Sequence, residues 1–190
     1  METAIRPATP ADLDAVVAVL TDAFGDDPVM SWAFPDEPVR RRRVRALWTF
    51  LAGRLYLPDG SSTIEPGGGA VALWQAPGQT ARDGFWEENG AEFVVALEGE
   101  VGRLSALGEL MAVHRPTEPH WYLPAIGVSP VQQGRKLGSA LLAHTLARAD
   151  AAGAPAYLEA TSPRSRALYE RHGFDVTADL AASALSLIHI

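Results

Sequence analysis

The sequence has no cysteine. That excludes a disulfide framework, a thiolate metal site and a cysteine nucleophile. It has one lysine, Lys136; the other side chains of permanent positive charge are arginines. It has no basic surplus: 23 acids against 16 bases leave a net charge of −7, which argues against a general nucleic-acid binder. No apolar run reaches the length of a membrane span, and the start, METAIRPATPADLDAV, has no apolar stretch of the signal-peptide type. The expectation is a soluble, cytoplasmic protein with no nucleic-acid partner, no membrane partner and no metal. What is present is ordinary for a globular domain, with 47% hydrophobic and 21% charged residues in a length that suits one domain. Abundant Ala, Arg, Gly and Pro points to a GC-rich genome, read as bacterial.

Along the chain, TAIRPAT reads as a short strand. TPADLDAVVAVLTDAF follows as a helix, with Leu13, Val16, Val17, Leu20 and Phe24 at helical spacing. GDDPVMSWAFPD breaks regularity at Gly25, Pro28 and Pro35. A helix fits from Glu37 to about Leu57, and STIEPGGGAVALWQAP reads as a hairpin. Residues 89–113 look helical with a break at Gly99. The rest alternates: strand EPHWYLPAIGVSP, a long helix stopped by Gly153, strand APAYLEAT, helix SPRSRALYERHG capped by Ser162, strand FDVTADL. Strands mixed with helices predict an α/β or α+β domain around one mixed sheet, the first three strands joined by short turns and the later ones by helical crossovers. Pro124 is hard to place inside a central strand without a bulge or a local loss of pairing; the alternative is an edge strand that tolerates a proline.

The stretch SPVQQGRKLGSALLAHTL, residues 129–146, runs a Gln-, Gly- and Arg-rich loop into an apolar helix. Such a junction aims backbone N–H groups and a helix dipole at an anion. Together with the order strand, loop, helix, strand, helix over residues 118–176, it resembles the GNAT family of N-acetyltransferases, whose fold is a mixed, mostly antiparallel sheet flanked by helices with two central strands splayed apart. The loop pattern of that family is Gln/Arg-x-x-Gly-x-Gly/Ala. Gln133 and Gly138 match its ends, and Lys136 occupies the middle glycine. A second signature is matched by Leu168, Tyr169, Glu170, Gly173 and Phe174, with Ser165 where an Asn is common.

The resemblance implies acetyl-CoA as co-substrate. Its diphosphate would meet Gln133, Gly134, Arg135, Lys136, Leu137, Gly138 and Ser139. Its pantetheine arm would bond to the backbone of Ile126, Gly127 and Val128, with Ser165 and Leu168 nearby. Glycine at 136 would allow the closest backbone approach, whereas Lys136 adds bulk and a charge that can pair with a phosphate. At a helix start the lysine needs no positive φ, so the expectation is weakened or reshaped binding and not its loss.

Acetyl transfer to an amine needs a proton acceptor, an oxyanion donor and an acid for the leaving thiolate. The resemblance sets Tyr169 at the sulfur, where a phenol is protonated at neutral pH. For the base, Glu118 and His120 are two residues apart and would share one face of an extended strand. Backbone N–H groups near residues 125–127 could serve the oxyanion. By family analogy the acceptor pocket involves Phe24, Asp27, Trp32 and Phe34 from the N-terminal segment, with Trp121 and Tyr122 as aromatic walls. Alternation sends one of the last two to the pocket and the other to the core. The acceptor is a primary amine of a small molecule or peptide. A homodimer is compatible with the sequence, which does not encode oligomeric state.

One domain over residues 1–180 is expected, followed by an atypical tail. ADLAASALSLIHI lacks clean alternation and a turn signal, and reads as a truncated or foreign end that leaves a sheet edge unpaired. A CoA-binding sensor or interaction module without catalysis, on the same fold, is the competing reading; Lys136, Ser165 and the tail favour it. A nucleotide-binding protein is disfavoured, because the glycine pattern matches neither a phosphate loop nor a dinucleotide fingerprint.

Overall fold

The computed structural model describes residues 4–79, 84–182 and 185–189, with side chains as far as residue 179. Strand β1 (Arg6–Pro7) leads to helices α1 (Leu13–Phe24), α2 (Pro28–Ala33) and α3 (Glu37–Leu51). Hairpin β2 (Thr63–Ile64) and β3 (Ala70–Gln75) follows, then α4 (Phe85–Ala96) and α5 (Gly102–His114). The remaining elements are β4 (Trp121–Val128), α6 (Leu137–Ala152), β5 (Ala156–Ala160), α7 (Pro163–Glu170), β6 (Ala178–Ala182) and β7 (Leu185–His189). The strands form one sheet in the order β1-β2-β3-β4-β5-β7-β6. Only the β4–β5 pair is parallel. This is the mixed, mostly antiparallel sheet expected.

Two cores sandwich the sheet. On one side Val16, Val17 and Leu20 of α1 and Val44, Leu47 and Trp48 of α3 pack over Val71, Leu73 and Ala125, with Phe85 and Leu107 of α4 and α5 completing the layer. On the other, Leu137, Leu141, Leu142 and Ala149 form the buried stripe of α6 over Trp74, Trp121 and Leu158. A Cβ on Gly127 would meet Leu20 at 3.0 Å, Ala23 at 3.2 Å and Val19 at 3.4 Å. Glycine there lets α1 lie directly on β4.

The decisive irregularity is in β4. Leu73 pairs with Ala125 and Gln75 with Tyr122, so three steps on β4 match two on β3. That is a bulge, and it contains Pro124. It flips the facing of the strand. Trp121 and Leu123 face α6 before it, and Ile126 and Val128 face α6 after it. The parallel β4–β5 ladder covers only Trp121↔Ala156, Tyr122↔Tyr157 and Leu123↔Leu158. Past the bulge, residues 125–128 pair with β3 alone. The two central strands therefore splay.

Several local expectations change. Pro28 does not only break structure: it sits in the first turn of α2, whose N-terminus is capped by Asp27 Oδ1 accepting the Val29 N–H at 2.8 Å. The helix from Glu37 leaves α geometry at Leu51 and adds a π-helical turn over Ala52–Tyr56. The break at Gly99 is present, with Glu98 and Gly99 both at positive φ. Short turns join only β2 to β3, since three helices separate β1 from β2. The last strand of the FDVTADL segment starts at Ala178. The chain end expected to leave an edge unpaired instead supplies β7, between β5 and β6, pairing Glu159↔His189, Ala160↔Ile188 and all of β6. A ladder is made by backbone groups, so imperfect side-chain alternation did not prevent it. Among the described residues no helix is long and apolar enough to cross a membrane, and no group of three metal-ligating side chains gathers.

Candidate active site

The site is built where β4 and β5 part. On the free side of residues 125–128, alternate backbone N–H and C=O groups have no strand to bond. Ile126 and Val128 are half-buried, and Gly127 is covered by α1. Beyond Val128 the chain turns through Pro130–Gln132 into α6, whose N-cap is Lys136. No side chain caps this helix, and the first-turn N–H groups have no intrahelical acceptor. The terminus is thus open to an anion. Gly138 lies 3.6 Å, by its would-be Cβ, from Leu168 of α7 and 3.8 Å from Val128. Gln133 donates to the Val128 carbonyl at 3.4 Å and accepts from Arg164 of α7 at 3.3 Å, while Arg135 donates to Gln132. Loop, strand end and α7 therefore form one unit. Arg164, exposed and tied to the loop, is a cation that the sequence reading passed over.

Lys136 corrects an expectation. Its backbone is left-handed, at φ 61° and ψ 17°, a conformation that favours glycine. Its side chain is exposed. The cost of the substitution thus falls on the backbone as well as on the space near a ligand. Ser165 differs as well: its hydroxyl donates to the Ser162 carbonyl at 2.9 Å and accepts the Ser162 N–H at 3.2 Å, so it is engaged in capping α7.

Tyr169 is buried on α7, edge-on to Phe174 at 6.0 Å. Burial holds its phenol protonated far above the ordinary range, and the charges of Asp27 and Glu159 push the same way. Asp27 accepts from the Thr161 hydroxyl at 2.7 Å besides capping α2. It pins the α1–α2 turn to the end of β5 and is no free acid for a ligand. Its carboxyl is raised by burial, against its hydrogen bonds.

The acid–base candidates are rearranged. Glu118 is exposed and precedes β4, which begins only at Trp121, so the shared strand face with His120 does not form. Only its carbonyl touches His120, accepting from Nδ1 at 2.8 Å. That carbonyl can only accept, so Nδ1 carries the hydrogen of this contact. Nε2 is buried without a partner among the described residues. The acid set inward is the half-buried Glu159, whose Oε1 is shut off from solvent. Tyr122 donates to its Oε2 at 2.9 Å, and Oε1 has no hydrogen-bond partner among the described residues. Burial pushes its carboxyl up to about 7, although Arg115 and the Tyr122 and Tyr157 hydroxyls hold it down. Sequence reasoning missed it. The signal was an acid amid the apolar strand AYLEA.

Of the aromatic walls, Tyr122 lies on the face of the sheet that carries Glu159, stacked near Tyr157 at 6.0 Å with the Arg115 guanidinium 4.0 Å above its ring. Trp121 faces the other way, packed on Trp74 under Arg148. Phe34 is wholly buried in the α1-side core. Trp121 and Phe34 are therefore core residues and not pocket walls. Phe24 packs on Trp48 at 5.2 Å, and Trp32 is half-buried beneath Arg103 at 5.7 Å.

Residues 62–174 match the model of the acetyltransferase (GNAT) family. The chain belongs to that family of N-acetyltransferases. An uncharacterised N-acetyltransferase of Schizosaccharomyces pombe is 26% identical over 182 residues, covering 86% of this chain and 70% of the relative. A solved Corynebacterium glutamicum protein, described as histone acetyltransferase HPA2 and related acetyltransferase, superposes with a TM-score of 0.76 at 29% identity, over 100% of this chain and 95% of its own. The polyamine N-acetyltransferase of Drosophila melanogaster, which forms N-acetylagmatine, gives 0.65 at 17% identity, over 98% of this chain and 96% of its own; at that identity the likeness is one of fold. The match covers β2 to α7, the stretch that holds the splay, the loop and Tyr169.

Proposed function

We propose that this GNAT protein transfers the acetyl group of acetyl-CoA directly to a primary amine of a small molecule or peptide. The observation that carries the reading is the end of the β4–β5 ladder at Leu123↔Leu158, which leaves the β4 edge unpaired beside the buried phenol of Tyr169. An extended pantetheine arm can complete that edge as a strand would. The uncapped start of α6 and the loop before it suit the diphosphate, and Lys136 and Arg164 add positive charge. Acetyl-CoA supplies the thioester. Tyr169 donates a proton to the departing sulfur, and N–H groups of the free β4 edge polarise the thioester oxygen. Tyr122 and Tyr157, beside Glu159 and under the Arg115 guanidinium, would suit an amine that carries an apolar or aromatic body. Agmatine, a polyamine and phenethylamine form a suitable first panel.

Calorimetric titration of acetyl-CoA followed by thiol release with that panel tests the reading. Binding with amine-dependent thiol release supports it. Binding without release from any amine favours the second reading, a CoA-binding module without turnover, for which the left-handed Lys136 in the loop speaks. A folded protein that binds no acetyl-CoA overturns both.

A further inference from the structure

We propose that Glu159 is the group that takes the proton from the acceptor amine, an inference that rests on the acetyltransferase reading. Continuing the ladder past Leu123↔Leu158 sets Glu159 level with Pro124. It is the first β5 residue beyond the pairing and stands opposite the bulge. Its side chain lies on the face it shares with Tyr122 and Tyr157, since Leu158 and Ala160 on either side of it face α6. The vertex of a splay is where an acyl group inserted from the loop side comes to rest. Oε2 is held by Tyr122 at 2.9 Å, which fixes the carboxylate, and Oε1 is left without a partner among the described residues. An unpartnered buried carboxylate oxygen is costly, and an N–H donor arriving in the gap would satisfy it.

His120 is the rival, with its own ring nitrogen unpartnered among the described residues. It precedes the first ladder pair, four residues before Pro124. At about 3.3 Å per residue it lies about 13 Å along the strand from the vertex, too far for hydrogen-bond contact with an amine attacking there.

Around Glu159 stand Tyr122 and Tyr157 on the strands, Tyr56 on the π-helical turn, Arg115 after α5 and Tyr169 on α7, which Asp27 also faces; on β7 the backbone register partner of Glu159 is His189. Arg115 is the one cation among the described side chains there, and it favours the ionised, proton-accepting form. Burial opposes it and prevails, which leaves the carboxyl titrating at about 7, suited to a base that works near neutrality.

The step balances. The neutral amine nitrogen bonds to the thioester carbonyl carbon, and the C–S bond breaks with its electron pair on sulfur. The N–H proton passes to Glu159 Oε1, and the Tyr169 O–H proton passes to sulfur. The proton on Glu159 then replaces the one Tyr169 gave, so amide and CoA thiol leave and both residues are restored.

The test compares the protein with Glu159→Gln and Tyr122→Phe, with agmatine and phenethylamine as acceptor probes. Gln keeps the shape and still accepts from Tyr122. The expected result is unchanged acetyl-CoA affinity, a kcat lower by about 100-fold or more, and loss of the fall in kcat below neutral pH. Tyr122→Phe removes a bond to the ionised form and should move that fall to higher pH, which a purely structural role would not do. Turnover within threefold of the parent in Glu159→Gln, or an unmoved acid limb, overturns the proposal while leaving the acetyltransferase reading intact. Absence of thiol release by the parent protein is the failure of that reading instead. A carbon-13 titration of the glutamate carboxyls, compared with Glu159→Gln, then decides independently of turnover: a Glu159 midpoint below pH 5 overturns the proposal, and one near 7 supports it.

Discussion

Lys136→Gly separates a backbone effect from a charge effect. Lys136 holds φ 61° and ψ 17°. That conformation costs a non-glycine residue about 1–2 kcal/mol. Glycine removes the cost but adds about 0.5–1 kcal/mol of conformational freedom to the unfolded chain. The net expectation is a gain of about 0.5–1 kcal/mol, which in a domain of this size raises Tm by about 1–4 °C. Lys136→Ala is the control. It removes the same charge and stem, keeps a Cβ, and should stay within about 0.5 kcal/mol of the parent, because the lysine side chain is exposed and caps nothing. Urea unfolding of all three proteins without ligand reads the difference directly. If the glycine variant is no more stable than the alanine variant, residue 136 is not strained and the left-handed N-cap reading is wrong. Acetyl-CoA titration of the same set then reports the charge. Weaker binding by Lys136→Ala than by the parent means that the ammonium contributes to holding the phosphates, and the glycine variant shows how much closer backbone approach returns.

Other expectations follow from single contacts. Tyr169→Phe removes only the phenolic proton donor, so steady-state kinetics should show kcat lower by about 100-fold with acetyl-CoA affinity unchanged; equal loss in affinity would make the residue a packing element. Gly127→Ala forces a methyl against Leu20, Ala23 and Val19 at 3.0–3.4 Å and should cost about 1–3 kcal/mol in denaturant unfolding; a neutral result would mean that α1 shifts freely on β4. Glu159 favours its protonated form in the fold, so its contribution is present below the ordinary 4.5 and is lost as pH rises to about 7. That span corresponds to about 3 kcal/mol. Unfolding free energies at pH 5 and pH 8 should therefore differ more in the parent than in Glu159→Gln, and equal differences would show that Glu159 is not buried in an unfavourable charge state.

The sequence disclosed the parts of the site that are local. The loop, the α6 start and the α7 signature are contiguous, so motif and spacing located them, and the clash between a central strand and Pro124 announced a bulge or a lost ladder. What it could not disclose depends on neighbours distant in the chain. Two-residue spacing joins Glu118 to His120 only within a strand, whereas β4 begins three residues after Glu118. Glu159 takes its setting from Tyr122, Arg115 and Tyr56, all distant from it in the chain. Alternation sets Trp121 and Tyr122 on opposite faces, but only the packed helices decide which one meets Glu159. The same bulge ties these together. One extra residue at Pro124 ends the β4–β5 pairing, reverses the facing of the strand beyond it, and leaves the next acid on β5 paired with β7 but not with β4. A single local irregularity thus opens the gap and aligns a base with it. Straightening β4 would close the space for the acyl group and pair Glu159 with β4 at the same stroke.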